Sequence, residues 1–131
     1  KSALLLLNST LSLLLLEVIG RKTFAVGVMY IYGPEFKNCI LLNPSLLKDK
    51  KINKIYSQFT IRAIKSIFEE CGINPKSGIP IEKQEPKPLS DRAELDNIVF
   101  DALGLTVDER KDVYRAVCRL VWNRISKAKS V

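Results

Sequence analysis

The 131-residue chain reads as an α+β fold, mostly α, with about four helices, one or two short β-strands and a helical hairpin at the C-terminus. Three observations lead to this class. Apolar residues recur at helical spacing in four segments, three of which end at a glycine (Gly20, Gly72 and Gly104). One stretch near the N-terminus is rich in Val, Phe, Tyr and Ile, the residues that suit a pleated surface. Two capping-box pairs lie in the last forty residues, either side of a very short turn.

The first helix is expected from about Ser2 to Ile19, with Gly20 as a left-handed stop. It is apolar nearly all round, which suits a helix sandwiched in the core. Asn8, Ser9, Thr10 and Ser12 interrupt its leucines and Glu17 follows, so it falls short of the roughly 20 apolar residues of a membrane span. It also lacks the small-residue cleavage site of a signal peptide. A strand is expected over Thr23 to Tyr32, a turn at Gly33-Pro34, and a second short strand over Asn38 to Leu42, closed by Asn43-Pro44. A third segment, Lys50 to Cys71, carries Ile52, Ile55, Tyr56, Phe59, Ala63, Ile64, Ile67, Phe68 and Cys71 at helical spacing and stops at Gly72.

Residues 73–90 hold four prolines and little periodicity, the marks of an ordered connector or surface strap. Asp91 with Glu94 opens a helix whose inner face is Leu95, Ile98, Val99, Ala102 and Leu103. Thr106 with Glu109 opens the last helix, running to about Ala128 and burying Val113, Ala116 or Val117, Leu120, Val121 and Ile125. The turn between them is so short that the two must form a hairpin. The length suits one domain, 1–131, divided into 1–47 (helix plus short strands), 48–72 (helix), 73–90 (connector) and 91–131 (hairpin). Lys1 stands first and the only methionine is Met29, so the expectation is a fragment of a longer protein.

Net charge is +7, and its placement is uneven. Residues 37–65 hold seven Lys/Arg against Asp49, and residues 110–131 hold seven against Asp112. Residues 66–101 between them carry eight acids and four bases. Two basic blocks around an acidic middle suit a polyanion or an acidic partner; the competing reading is charge that only keeps the domain soluble. On the last helix Lys111, Arg115 and Arg119 are spaced by four, with Asn123 and Lys127 further along, a stripe beside the apolar face that suits phosphates along a duplex. The alternative is an exposed helix whose cations favour its C-terminal end.

Catalytic chemistry is poorly supplied. With no histidine, Ser-His and Cys-His nucleophiles are excluded within these residues. No phosphate-cradling glycine loop occurs. Glu69-Glu70 and the pair Asp96 and Asp101 read as parts of solvated helix faces. Cys39, Cys71 and Cys118 form no CxxC, which leaves a zinc site almost without ligands and suggests reduced thiols in a cytoplasmic protein. No cofactor is expected in this chain, no metal and no membrane partner.

The run PLSDRAELDNIVFDALGLT (88–106), followed by Val113-Tyr114-Arg115 and Lys127-Ala-Lys-Ser130, resembles the C-terminal end of adenine-specific DNA methyltransferases of restriction-modification systems. Leu7-Asn8-Ser9-Thr10-Leu11, then Gly20-Arg21, a strand and Asn-Pro, is similar to the late part of their target-recognition region. The resemblance implies a division of labour: a doubly wound domain binds S-adenosylmethionine and transfers the methyl group, while a C-terminal region reads DNA. On that resemblance this chain is expected to be part of the second, with the catalytic domain missing. Arg21 and Lys22 match the Gly-Arg turn and, with Lys111, Arg115 and Arg119, are the candidate DNA contacts. Asn43-Pro44-Ser45-Leu46 is similar to the Asn-Pro-Pro-aromatic catalytic loop of amino-group methyltransferases, but the second proline and the aromatic are absent. Asn43 is therefore read as punctuation. The expected function is a non-catalytic DNA-recognition segment with duplex DNA as partner. The alternative is a docking module for the methyltransferase catalytic domain or another restriction-modification subunit, for which Leu105, Val107, Tyr114 and Trp122 are the residues to examine for an exposed apolar patch.

Overall fold

The computed structural model describes residues 1–23, 27–40, 42–47 and 52–128. Among them are seven α-helices, two 3₁₀ turns and one two-stranded antiparallel sheet, so the mostly helical α+β class holds while the helix number exceeds the expected four. Two of the expected helices are broken and one short helix is new.

The N-terminal helix divides into α1 (Ser2–Asn8) and α2 (Thr10–Ile19), bent by 63°. Ser9 lies between them in an extended conformation, and its side chain accepts a hydrogen bond from the Ser12 backbone N–H. That is an N-cap in mid-sequence, and it starts a new helix instead of prolonging the old one. The polar triplet that interrupts the leucines is thus a joint. Gly20 closes α2 with extended backbone (φ −63°, ψ 140°), not the left-handed stop expected of it. Among the described residues no single helix is long and apolar enough to cross a membrane; α1 and α2 reach that length and apolarity only as a bent pair.

After Gly20 a narrow ribbon forms from β1 (Arg21–Lys22) and β2 (Met29–Tyr30), paired Arg21 to Tyr30 and Lys22 to Met29. The sequence-predicted strand over Thr23 to Tyr32 survives only as Met29–Tyr30, since Thr23, Gly27, Val28, Ile31 and Tyr32 are not strand and Phe24–Val26 lie outside the described residues. The expected turn at Gly33-Pro34 is the start of α3 (Gly33–Lys37), where proline's missing N–H costs nothing at the first turn. No strand is found at Asn38–Ile40 or Leu42, and Leu41 lies outside the described residues. Asn43 caps the 3₁₀ turn Pro44–Leu46, accepting from the Ser45 N–H at 3.0 Å.

The third expected helix also breaks, into α4 (Ile52–Ile61) and α5 (Ile67–Cys71), while Lys50 and Lys51 lie outside the described residues. A capping box of Ser66 and Glu69 begins α5, and left-handed Gly72 ends it. The hairpin is α6 (Ser90–Ala102) and α7 (Val107–Ala128). Thr106 and Glu109 form the expected box: the Glu109 N–H donates to Thr106 Oγ1 at 3.4 Å and the Thr106 N–H to Glu109 Oε2 at 2.7 Å. Asp91 does not cap α6. It lies inside the helix and binds Arg62.

α6 divides the core. Leu95 and Val99 pack with Leu5, Leu6, Leu47 and Ile55, whereas Phe100 joins Cys71, Ile73, Ile81, Tyr114, Val117 and Cys118. Leu11 touches both clusters. Ala102 and Leu103, expected on the inner face, are exposed. Two polar devices cross this core. Asp96, fully buried, accepts from the Thr10 N–H at 2.8 Å and the Thr10 hydroxyl at 2.6 Å, setting a carboxylate against the first turn of α2. Burial raises its pKa, against the pull of the Thr10 hydrogen bonds. The second device is a four-residue ion network. Arg62 Nη1 and Nη2 donate to the two Glu70 oxygens at 2.6 and 2.7 Å, and its Nε binds Asp91. Arg92 Nε donates to Glu70 at 3.0 Å and its Nη1 to the Asn8 carbonyl. One network therefore joins α1, the end of α4, α5 and α6.

Candidate nucleic-acid interface

The three cations spaced by four do share one face of α7, and the connector lies along it. Ile81, in the 3₁₀ turn Ile81–Lys83, is buried in the core and anchors the strap. Its neighbours then meet the helix. Lys111 Nζ lies 2.8 Å from Glu85, Arg115 Nη2 lies 3.6 Å from the same carboxylate, and Arg119 Nη1 lies 3.6 Å from Glu82. Arg115 also donates from Nε to the Gln84 carbonyl at 2.9 Å and lies 3.1 Å from Asp112. The Lys111 hydrogen bond, with the charges of Lys111 and Arg115, holds the Glu85 carboxyl below the usual range. Each stripe cation is therefore engaged by a carboxylate. A depression of about 330 Å³ remains, lined by Glu82, Asp112, Arg115, Ala116 and Arg119.

Arg21 and Lys22 sit on opposite faces of the ribbon, as successive strand residues must. Lys22 faces the C-terminal end of α7. There it lines a recess of about 230 Å³ with Thr23, Leu120, Asn123, Arg124 and Lys127. Arg124 ties that end of α7 to α2 and to Gly27, between the two strands. Arg124 Nη2 and Nε bind Glu17 of α2 at 2.6 and 3.2 Å, and its Nη1 donates to the Gly27 carbonyl. Gly27 has φ +63°, and a Cβ on it would lie 3.1 Å from Ala128 Cβ, so only glycine fits this approach without strain.

Arg21 occupies the other face with its strand partner Tyr30 and with Tyr32, two residues on. The Tyr30 and Tyr32 rings are near parallel (14°), with centroids 6.0 Å apart, and the Arg21 guanidinium lies 5.6 Å from the Tyr32 centroid. Glu35 binds Arg21 and accepts from the Tyr32 N–H at 3.2 Å. Desolvation pushes the Glu35 carboxyl up, but Arg21 and the backbone donors outweigh it and hold the group low.

Sequence reasoning missed Arg124, Tyr30 and Tyr32. A signal existed for the first: Glu17, the one charged residue of α2, is buried and demands a cation. The two tyrosines alternate along an extended segment, the pattern of residues sharing a ribbon face. Of the hairpin residues proposed as a docking patch, Tyr114 is buried edge-on against Phe100, Trp122 packs edge-on against Phe68, and Leu105 lies against the core. Val107 is exposed. Lys48, Lys50, Lys51 and Lys129 of the basic blocks lie outside the described residues. Among the described residues, no group of three His, Cys, Asp or Glu side chains could hold a metal ion.

No family model, no curated protein and no solved structure matches this chain.

Proposed function

We propose that the chain is the non-catalytic DNA-recognition segment of an adenine-specific DNA methyltransferase of the restriction-modification type. In this reading methyl transfer and S-adenosylmethionine belong to a separate catalytic domain, and this segment holds duplex DNA in register for it. The observation that carries the reading is the recess between ribbon and α7. It joins Lys22, from the Gly-Arg turn of the family resemblance, to Asn123, Arg124 and Lys127, about a hundred residues away in sequence. Cations and an amide brought together from two elements are what positioning on a phosphate backbone requires.

The stripe Lys111, Arg115 and Arg119 supplies a second, exchangeable set of contacts. Its pairs with Glu82 and Glu85 are partly exposed, and water screens such pairs, so a polyphosphate competes for them. The test is anisotropy of a labelled duplex titrated at several salt concentrations. Each lost phosphate contact lowers the slope of log affinity against log salt by about 0.9. Lys22→Ala with Lys127→Ala is expected to lower it by about 2, and the triple Ala variant of the stripe by up to about 3. A slope unchanged in both variants refutes the assignment.

A second reading, a protein-docking module for the catalytic domain or another restriction-modification subunit, is favoured by one observation. Val28, Tyr30, Ile31, Tyr32, Phe36 and Ile40 are all exposed on and beside the ribbon. Absence of duplex binding by the native chain at low salt favours this alternative.

A further inference from the structure

The exposed tyrosine pair is unusual in its company. Tyr30 and Tyr32 are near parallel on one ribbon face, 40% and 53% exposed, so neither ring is consumed by the core. Arg21 lies over the Tyr32 ring, and Lys37, at the end of α3, is exposed close by in sequence. The one acid of the described segment 20–40 is Glu35, and it is committed to Arg21 and the Tyr32 N–H. Two flat, exposed rings with a guanidinium over one of them, and no unengaged carboxylate among the described residues of 20–40, match a ligand that is aromatic and anionic at once. A protein partner requires only the apolar part of that description; a nucleotide strand requires all of it. Stacking needs an open π-face, which a base inside a duplex does not offer.

We propose that the ribbon face of Arg21, Tyr30 and Tyr32 is a stacking platform for unpaired nucleobases, with Arg21 and the exposed Lys37 of α3 holding the strand's phosphates. This rests on the reading of the chain as a DNA-binding segment and adds a ligand class that duplex contacts alone do not use. It assigns the two ribbon faces different tasks: Lys22 faces the recess on α7, and the aromatic face takes bases.

The experiment compares matched probes by anisotropy with the full chain. One pair is a labelled oligothymidylate and a strand of equal length with abasic sugars; the other is a duplex carrying one bulged thymidine and the same duplex with an abasic bulge. A preference of about tenfold or more for thymidine in either pair is expected, and the pair that shows it identifies the source of the unpaired base. Tyr30→Ala with Tyr32→Ala is expected to abolish that preference, and Tyr30→Phe with Tyr32→Phe to keep it. Equal affinity for base-bearing and abasic probes in both pairs, for the native chain, overturns the proposal without recourse to a variant. So does an Ala variant that retains the preference. Sedimentation in the same buffer supplies the remaining arm: native self-association abolished by the Ala variant, with no thymidine preference, assigns the face to protein contacts and overturns it. Plain duplex affinity, measured alongside, separates the two readings. Its loss with the thymidine preference intact sinks only duplex recognition; its retention with no preference sinks only the platform.

Discussion

Replacing Glu70 by Gln removes the centre of the ion network and should cost about 3 kcal/mol at neutral pH. The figure comes from two directions. Burial pushes the Glu70 carboxyl up, but the hydrogen bonds from Arg62 and Arg92 outweigh it and bring the pKa from 4.5 down to about 2. A depressed carboxyl stabilises the fold above its unfolded value, and that stability is lost as pH falls through the folded one. A displacement from 4.5 to about 2 corresponds to roughly 3 kcal/mol, discounted to about 2 because 23% of the Arg62 side chain remains in water. The second direction is the orphaned partner. Arg92 is 6% exposed and Glu70 is its carboxylate, and unpairing a buried charge costs roughly 3–5 kcal/mol. Urea denaturation at pH 7 measures the difference directly; a thermal melt should fall by about 10 °C for a domain of this size. The gap between native and Glu70→Gln proteins should then shrink to less than half by about pH 3, where the native carboxylate is losing its advantage. A gap under about 1 kcal/mol at pH 7, or one equal at both pH values, refutes the argument.

Gly72→Ala places a Cβ 2.0 Å from the Lys87 carbonyl oxygen at a φ of +63°, so the variant should lose about 3 kcal/mol or more in the same urea assay, and a loss below about 1 kcal/mol contradicts that approach. In an aromatic-disulfide thiol titration of the native protein, half-buried Cys39 should react while Cys71 and Cys118 wait for denaturant. Cys118 and burial push the Cys71 thiol up, and both side chains are closed to water. Fast reaction of all three sulfurs is the contrary result.

The legible parts of the fold are those set by local chemistry. The α6–α7 hairpin follows from Thr106, Glu109 and left-handed Gly104, all within a few residues of the turn they make. The breaks at Ser9 and at 62–66 were less legible because apolar periodicity runs through them. What breaks the first is a cap reinforced by Asp96, 86 residues distant from Thr10. Across the second, Arg62 turns out to reach Asp91, 29 residues away, while Ser66 and Glu69 begin a new helix. The site divides in the same way. The four-residue spacing of the α7 cations was visible; their engagement by Glu82 and Glu85 was not, because a connector without periodicity carries no sign of where it lies. The place of Lys22 beside Lys127 depends on Glu17, Arg124 and Gly27 meeting, three residues whose pairing no local pattern encodes.

The strap's carboxylates also have a consequence for ligand selection. Glu82 and Glu85 are tethered to their cations, so they compete at an effective concentration of roughly millimolar or more, however dilute the protein. A lone phosphate ion gains one weak contact by displacing one of them, and the carboxylate remains poised to return. A ligand with several phosphates along a rigid line displaces both acids together, and each contact raises the local concentration of the next. Under the proposed duplex-binding reading, the strap therefore discriminates by valency: it screens α7 from scattered anions and yields to a polymer of them.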